Sequence, residues 1–402
     1  MPSFEVESQD GVAVRKYPKP NFMRDIRTWI EIDQKALRHN VETFLKLIPG
    51  HTRLMAVIKS NAYGHGLVPI AKLFSVYQLP ATSYQIVWFG VDSIVEALRL
   101  RREGIKNRIL VSGYTLPSRM KEAVEHDITL TISHTEGLKA LAALKSRPQF
   151  HLKIDTGMHR QGFLPQDALK LIKLLKLFKL SPQGVYTHFA SAKDPADRAY
   201  TMHQLSLFGD VISEFERADI RGMIRHAAAT GGTLLFPESH LDMVRIGMGL
   251  YGYWPSEEIK NQKSKIKNIV LKPVLSWKTI VGEVKGIPKG SFVGYDCTER
   301  LGRRTKVAVL PVGYWHGYDR GLSSIGDVLI RGKRAKVLGR VSMDMIVVDV
   351  TGIPETHIGD EVVLVGRQGK DALWADELAA GIDTTSYEFL TRINPLIKRV
   401  IV

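Results

Sequence analysis

The chain has 402 residues, 44% of them hydrophobic, and a formal charge of +15. That length makes room for two or three ordinary domains, or for one large barrel with a smaller partner, and the composition excludes wholesale disorder. The single cysteine, Cys297, excludes an intramolecular disulfide framework and a Cys-rich metal site, and no metal site is expected. No apolar run reaches membrane-spanning length, so no membrane partner is expected. The first ten residues lack a basic start and an apolar stretch of the secretory kind, which makes the cytoplasm the expected location. The basic clusters at 260–267, 300–306 and 331–336 sit in expected loops and turns, without an aromatic platform or a nucleic-acid-binding motif. Solvated surface charge is therefore expected, with no nucleic-acid partner.

In chain order, residues 1–25 read as an irregular arm. Residues 29–32 form a short strand, Asp33 an N-cap, and 36–47 a helix with Leu37, Val41, Phe44 and Leu45 on one side. Residues 53–58 are a buried strand, and Lys59 stands where it stops. Gly64 and Gly66 break the run before a helix over 67–77. Further strands are expected at 86–91, 108–111, 129–132, 150–154, 184–188 and 223–227. The intervening helices fall at 93–103 (capped by Asp92 and ended by Gly104), 120–125, 166–179 and 198–217. Eight strands joined by helices argue for a (β/α)8 barrel over an open sheet, although the count leaves closure open. After about residue 265 the texture turns β-rich, with runs at 274–284, 305–312, 327–330, 335–341 and 346–350; only 375–380 is clearly helical. The polar stretch 256–267 is the expected junction. The expected organisation is an arm (1–25), an α/β barrel domain (26–264) and a mostly β C-terminal domain (265–402).

A lysine at the C-terminal end of a parallel barrel strand lies where such barrels keep their chemistry. Desolvation there favours the neutral amine, which can form a Schiff base. Its neighbours are ordered too: residues 56–66 read Ala-Val-Ile-Lys-Ser-Asn-Ala-Tyr-Gly-His-Gly.

This stretch resembles the pyridoxal 5'-phosphate (PLP) signature of the alanine racemase family, and the resemblance runs from about Trp29 to the C-terminus. It implies a closed TIM-like barrel followed by a β-rich domain that completes the active site of the partner subunit in a homodimer. It makes Lys59 the PLP-bearing lysine, and Tyr63, Thr230, the amides of Gly247 and Met248, and Tyr387 the phosphate ligands. Ala229-Thr230 departs from the family's Asn-Ser. In Val244-Arg245-Ile246-Gly247 the arginine would face the pyridine nitrogen as a donor that does not release its proton. Tyr295, in Val293-Gly294-Tyr295-Asp296, resembles the second catalytic base, which acts opposite Lys59. His188, in Tyr186-Thr187-His188-Phe189-Ala190, would link that tyrosine towards Arg245. Residues 153–160, Lys-Ile-Asp-Thr-Gly-Met-His-Arg, imply Arg160 as the substrate-carboxylate ligand, positioned by a carbamylated Lys153. In Arg340-Val341-Ser342-Met343-Asp344, Met343 would touch substrate through its backbone and Asp344 would line the entrance. The implied activity is interconversion of L- and D-alanine, supplying D-alanine for peptidoglycan. A serine or broad-spectrum racemase on the same scaffold is the alternative. PLP decarboxylases of basic amino acids fit less well, because Arg245 replaces their carboxylate and no cysteine lies near Ser342.

Overall fold

The structure, a computed structural model, describes residues 26–76, 88–194, 196–261 and 269–402. The arm expected at 1–25 lies outside the described residues, as do the start of the strand expected at 86–91, Tyr77 of the preceding helix, and 262–267 of the polar junction.

Strand β1 (Thr28–Ile32) leads into a helix, Gln34–Leu47, capped by the Asp33 carboxylate, which accepts from the amides of Lys35 and Ala36. Eight strands then alternate with helices: β2 (Arg53–Val57), β3 (Trp88–Val91), β4 (Arg108–Val111), β5 (Thr129–Ile132), β6 (Phe150–Lys153), β7 (Gly184–Tyr186), β8 (Ile224–His226) and β9 (Met243–Ile246). They form one parallel sheet in the order β8-β7-β6-β5-β4-β3-β2-β9. Two backbone hydrogen bonds join its end strands, from the Asp242 amide to the Arg225 carbonyl (3.1 Å) and from the Arg245 amide to the Ala228 carbonyl (3.0 Å). The sheet is therefore a barrel, closed or nearly so, with helices around it.

The number of barrel strands agrees with the sequence reading, but their membership does not. Residues 29–32 were expected to open the barrel; instead β1 pairs antiparallel with β10 (Leu275–Ile280) in the second domain, and β9 supplies the eighth barrel strand. The reason is visible in burial. Strands β3, β5, β6 and β9 are buried at every position, as a parallel sheet covered by helices requires. In β1, by contrast, Glu31 reaches the surface of its sheet and pairs with Lys278 at 2.9 Å. The expected cap Asp92 is also displaced by one residue: Ser93 caps the helix Ile94–Arg102, its hydroxyl accepting from the Glu96 amide at 3.3 Å.

The second domain adds β11 (Glu283–Ile287), β12 (Phe292–Val293), β13 (Glu299–Arg300), β14 (Thr305–Leu310), β15 (Asp327–Ile330), β16 (Lys333–Leu338), β17 (Ile346–Asp349), β18 (Glu361–Gln368), β19 (Asp371–Leu373) and β20 (Lys398–Ile401). Its main sheet runs β11-β14-β17-β16-β15-β18-β10-β1-β20, with β19 beside β18, while β12 and β13 form a separate hairpin. Besides the expected helix Ala375–Ala380 it contains Ser386–Thr391.

This last helix packs back onto the turn that follows β2. A Cβ on Gly64, whose φ is +86°, would lie 2.1 Å from the Leu390 carbonyl oxygen. Arg399 of β20 holds the Gly64 carbonyl with two donors, at 2.8 and 3.2 Å. Gly64→Ala therefore meets both a left-handed backbone and a blocked approach. Its urea midpoint should fall, corresponding to a loss of more than about 1 kcal/mol; an unchanged midpoint would show that the two domains do not depend on this contact.

Candidate active site

Lys59, Lys153, His188 and Arg245 come from the C-terminal ends of β2, β6, β7 and β9, or from the residues just beyond them, so all gather at one mouth of the barrel. Immediately after Lys59 the chain makes a left-handed turn, with φ between 51° and 56° at Ser60, Asn61, Ala62 and Tyr63. Each such residue costs roughly 1–2 kcal/mol. The turn is held by hydrogen bonds from the Ala62 amide to the Ile58 carbonyl and from the Gly66 amide to the Asn61 carbonyl, both 2.8 Å. The buried His65 ring also uses Nδ1 to bond the carbonyls of Ala62 and Tyr63, each at 3.0 Å. Asn61 then accepts from the Leu67 amide at the start of the next helix. This strained segment turns Tyr63 back into the mouth, where its ring meets Tyr251 at 5.4 Å and Tyr387 edge-on at 6.1 Å. Burial raises the Tyr63 pKa and pushes that of Tyr387 up to about 12, so both stay phenols that donate.

Two further groups converge beside Tyr63. The Thr230 hydroxyl accepts from the Gly247 amide at 3.2 Å, and a Cβ on Gly247 would lie 2.7 Å from the Tyr63 hydroxyl. Only glycine lets the backbone come this close, and the result is a cradle of hydroxyls and amide of the kind that holds phosphate.

Arg245 is the buried centre of the site. Its guanidinium donates to the carbonyls of Thr187 and Ala227, each at 2.8 Å, and to Nδ1 of both His188 and His226, each at 3.1 Å. It also lies over the Tyr186 ring at 5.2 Å. Burial lowers its pKa to about 10, which leaves it a cation near neutral pH. A guanidinium only donates, so both Nδ1 atoms must be unprotonated acceptors. His226 then carries its proton on Nε2 and gives it to Nδ1 of His151 at 2.9 Å, and His151 keeps its own proton on Nε2, towards Gln183. A chain of neutral imidazoles thus runs from Arg245 into the barrel core.

Lys153 is buried, with its amine 5.3 Å from the centre of the Tyr186 ring. Burial first, and then the charges of Arg245 and Arg160, bring its pKa down to about 8. His188 is lowered by burial and by Arg245, Lys153, Arg160 and Lys59 together. Asp155 is engaged by the amides of Gly157, His159 and Arg160 and fixes the loop that carries Arg160. Lys59 is half-exposed, 3.8 Å from Asp92. The mouth is therefore strongly cationic, and it suits a ligand with negative groups.

The structure brings Lys59, Tyr63, Lys153, Arg160, His188, Thr230, Arg245, Gly247, Met248 and Tyr387 to this mouth. Tyr295, Met343 and Asp344 lie elsewhere, on the exposed face of the second domain; Tyr295 is 67% and Met343 54% accessible. Tyr295 sits at the tip of the β12–β13 hairpin between Gly294 (φ 77°) and Asp296 (φ 63°), which turn it outwards. Sequence reading missed His151, His226 and Tyr186 as parts of the site. Their alternation along β6, β7 and β8 with the residues facing the helices is the signal that points them inwards.

A barrel whose strand ends present a lysine, a cradle of hydroxyls and amide and a caged arginine, joined to a β domain, has the make-up of an α/β-barrel enzyme. Comparison with known proteins narrows this. Residues 32–255 match the model of the alanine racemase N-terminal domain and 274–401 that of the C-terminal domain. The chain is 38% identical to the alanine racemase of Leptospira interrogans, over 93% of this chain and 96% of that one. With the enzyme of Symbiobacterium thermophilum the identity is 40%, over 92% and 96%. The solved alanine racemase of Clostridium difficile superposes with a TM-score of 0.85 at 30% identity, covering 94% and 96%. The chain belongs to the alanine racemase family.

The buried neutral histidines fix a pH response. His65 and His151 have pKa values held near 3 by burial, against about 6.5 in the unfolded chain. Their contribution is complete above pH 6.5 and is lost as the pH falls towards 3, because the unfolded chain then binds protons that the folded one refuses. Unfolding free energy measured by urea titration should fall below pH 6.5 by up to about 1.4 kcal/mol per pH unit for each. A His151→Gln variant should show a shallower slope, and an unaltered slope would mean that His151 is protonated in the native barrel.

Proposed function

We propose that this enzyme interconverts L- and D-alanine with PLP as cofactor, using Lys59 and Tyr295 as bases on opposite faces of the substrate, in a homodimer whose two active sites are shared. The observation that carries the reading is the placement of Lys59 beside a caged Arg245 in a cationic barrel mouth, while Tyr295 is held outwards on the second domain. The glycine-lined cradle and the cationic mouth fit a phosphorylated aldehyde. Bound there, PLP supplies an electron-withdrawing conjugated ring that acidifies the Cα proton of the attached amino acid.

Under this reading the chain's own groups divide the work among them. Lys59 would hold the cofactor and, once freed, move the proton on one face. Tyr63, Thr230, the amides of Gly247 and Met248, and Tyr387 would bind the phosphate. Arg245 would donate to the pyridine nitrogen without giving up its proton, because its cage of carbonyls and neutral imidazoles stabilises the cation. Keeping its proton, Arg245 would favour return of the substrate proton over transamination. Arg160 would hold the substrate carboxylate. With its pKa lowered to about 8, Lys153 would have an appreciable neutral fraction near physiological pH, able to take up CO2 with loss of a proton. The resulting carbamate would pair with Arg160.

Support for the dimer comes from the surface around Tyr295. Phe292, Tyr314, Trp315, Met343 and Met345 are all exposed, and backbone bonds from Tyr314 to Ser342 and from Trp315 to Met343, both 3.0 Å, tie two of the loops together. A cluster of this kind marks an interface. A partner's Tyr295, Met343 and Asp344 would then complete each mouth, with His188 linking that tyrosine towards Arg245. The product would supply cell-wall peptidoglycan from the cytoplasm.

Chiral chromatography after incubation with L-alanine, with L-serine in parallel, tests the activity; D-serine formed as fast as D-alanine would make the enzyme broad-spectrum. Lys59→Ala should abolish both racemisation and the visible band of lysine-bound cofactor. Tyr295→Phe should keep that band and retain solvent exchange of the Cα hydrogen for one enantiomer only. Unfolding and refolding an equal mixture of the two variants should restore about a quarter of wild-type activity, since half the dimers are mixed and each carries one intact site. No recovery from two folded variants would refute sharing.

A further inference from the structure

The helix Ala168–Leu177, far in sequence from the second domain, lies in the outer ring of the barrel between the helices Thr135–Ala142 and Arg198–Arg217. Ala168, Leu171, Ile172 and Leu175 face the barrel and are buried. Its outward face is unusual for a surface helix. Lys170, Lys173 and Lys176 recur every three residues and are exposed, and Lys179 follows just past the helix end. At 100° per residue, Leu169 and Leu177 fall in the same arc as these lysines, and they are 61% and 71% exposed. No Asp or Glu occurs between Ala168 and Lys193, and among the described residues none of these lysines forms an ion pair. Arg147 sits against the C-terminal end of the helix, donating to the carbonyls of Phe178 and Lys179 at 3.3 and 3.1 Å.

No acidic residue interleaves these lysines, and exposed leucines flank them on the same arc, the pairing of basic and apolar side chains that suits a helix face lying on a membrane surface. We propose that this face docks the enzyme on a surface of anionic phospholipid headgroups. The lysines meet the phosphates, and Leu169 and Leu177 enter the boundary between headgroups and acyl chains. The leucines favour lipid over nucleic acid, because a strand-binding face would offer aromatic or arginine side chains for stacking, and this arc offers neither. The contact is superficial; among the described residues no helix is long and apolar enough to cross a membrane.

Sedimentation of the full-length enzyme with phosphatidylcholine vesicles, with and without phosphatidylglycerol, tests the proposal. Binding should require phosphatidylglycerol and weaken with salt. Each lysine contributes about fivefold near such a surface, so a K170Q/K173Q/K176Q variant should bind roughly a hundredfold more weakly. An L169S/L177S variant should also bind more weakly, although its charge is unchanged. Both should keep their racemase activity and melting temperature, since none of these residues lies in the catalytic mouth. Equal binding to the two kinds of vesicle, or undiminished binding by the lysine variant, would overturn the proposal. So would a leucine variant that binds vesicles normally while the lysine variant loses retention on duplex DNA, which would make the face a general polyanion site.

Discussion

A guanidinium cannot be carried inside a barrel unless its donors are met, since an unpaired buried charge costs several kcal/mol. Arg245 meets this constraint with two carbonyls and two imidazole nitrogens. The requirement propagates. It fixes which nitrogen of His188 and of His226 is bare and the direction of the bond from His226 to His151, and it adds to burial in keeping these rings neutral. Tyr186 belongs to the same unit: its ring stacks on His226 at 4.7 Å and faces the charges of Arg245 and Lys153. The polarity of the whole mouth follows from one buried cation.

The same cation sets what the mouth can hold. Arg245, Arg160, Lys153 and Lys59 act together on His188, while Asp155 is occupied with loop amides. Such a cluster repels itself until anions enter, so an attraction for anions is built into the strand ends. The lowered pKa of Lys153 comes first from its burial and then from the same repulsion.

Positioning depends on cooperation between the domains. The left-handed turn after Lys59 stores strain that its own hydrogen bonds offset only in part. The second domain closes over it through Arg399 and the helix Ser386–Thr391, which also brings Tyr387 against Tyr63. The exchange of β1 into the second sheet serves the same end. Because β1 lies between β10 and β20, the chain that enters the barrel is already anchored in the domain that covers its mouth.

Much of this was legible in the sequence, for identifiable reasons. Strand and helix periodicity gave the alternation, and the bounds expected for the long helix are those found, Arg198–Arg217, with Asp197 as its cap. The 56–66 stretch stood out through its resemblance to the alanine racemase signature, and its Gly64 falls where the backbone takes a positive φ. The sequence alone did not assign β1 and β9 to their sheets: a short apolar run looks the same in either, and the choice is made by partners distant in sequence, such as Lys278 for Glu31. Nor did it reveal the histidine chain, since His151 and His226 are separated by 75 residues and meet only when β6, β7 and β8 stand side by side. Local sequence determined which elements form and which residues carry reactive groups, because propensity and turn chemistry act over a few residues. Tertiary structure decided which of those groups share a buried space, and therefore their charge and tautomer, because desolvation and hydrogen-bond partners exist only once the barrel has closed.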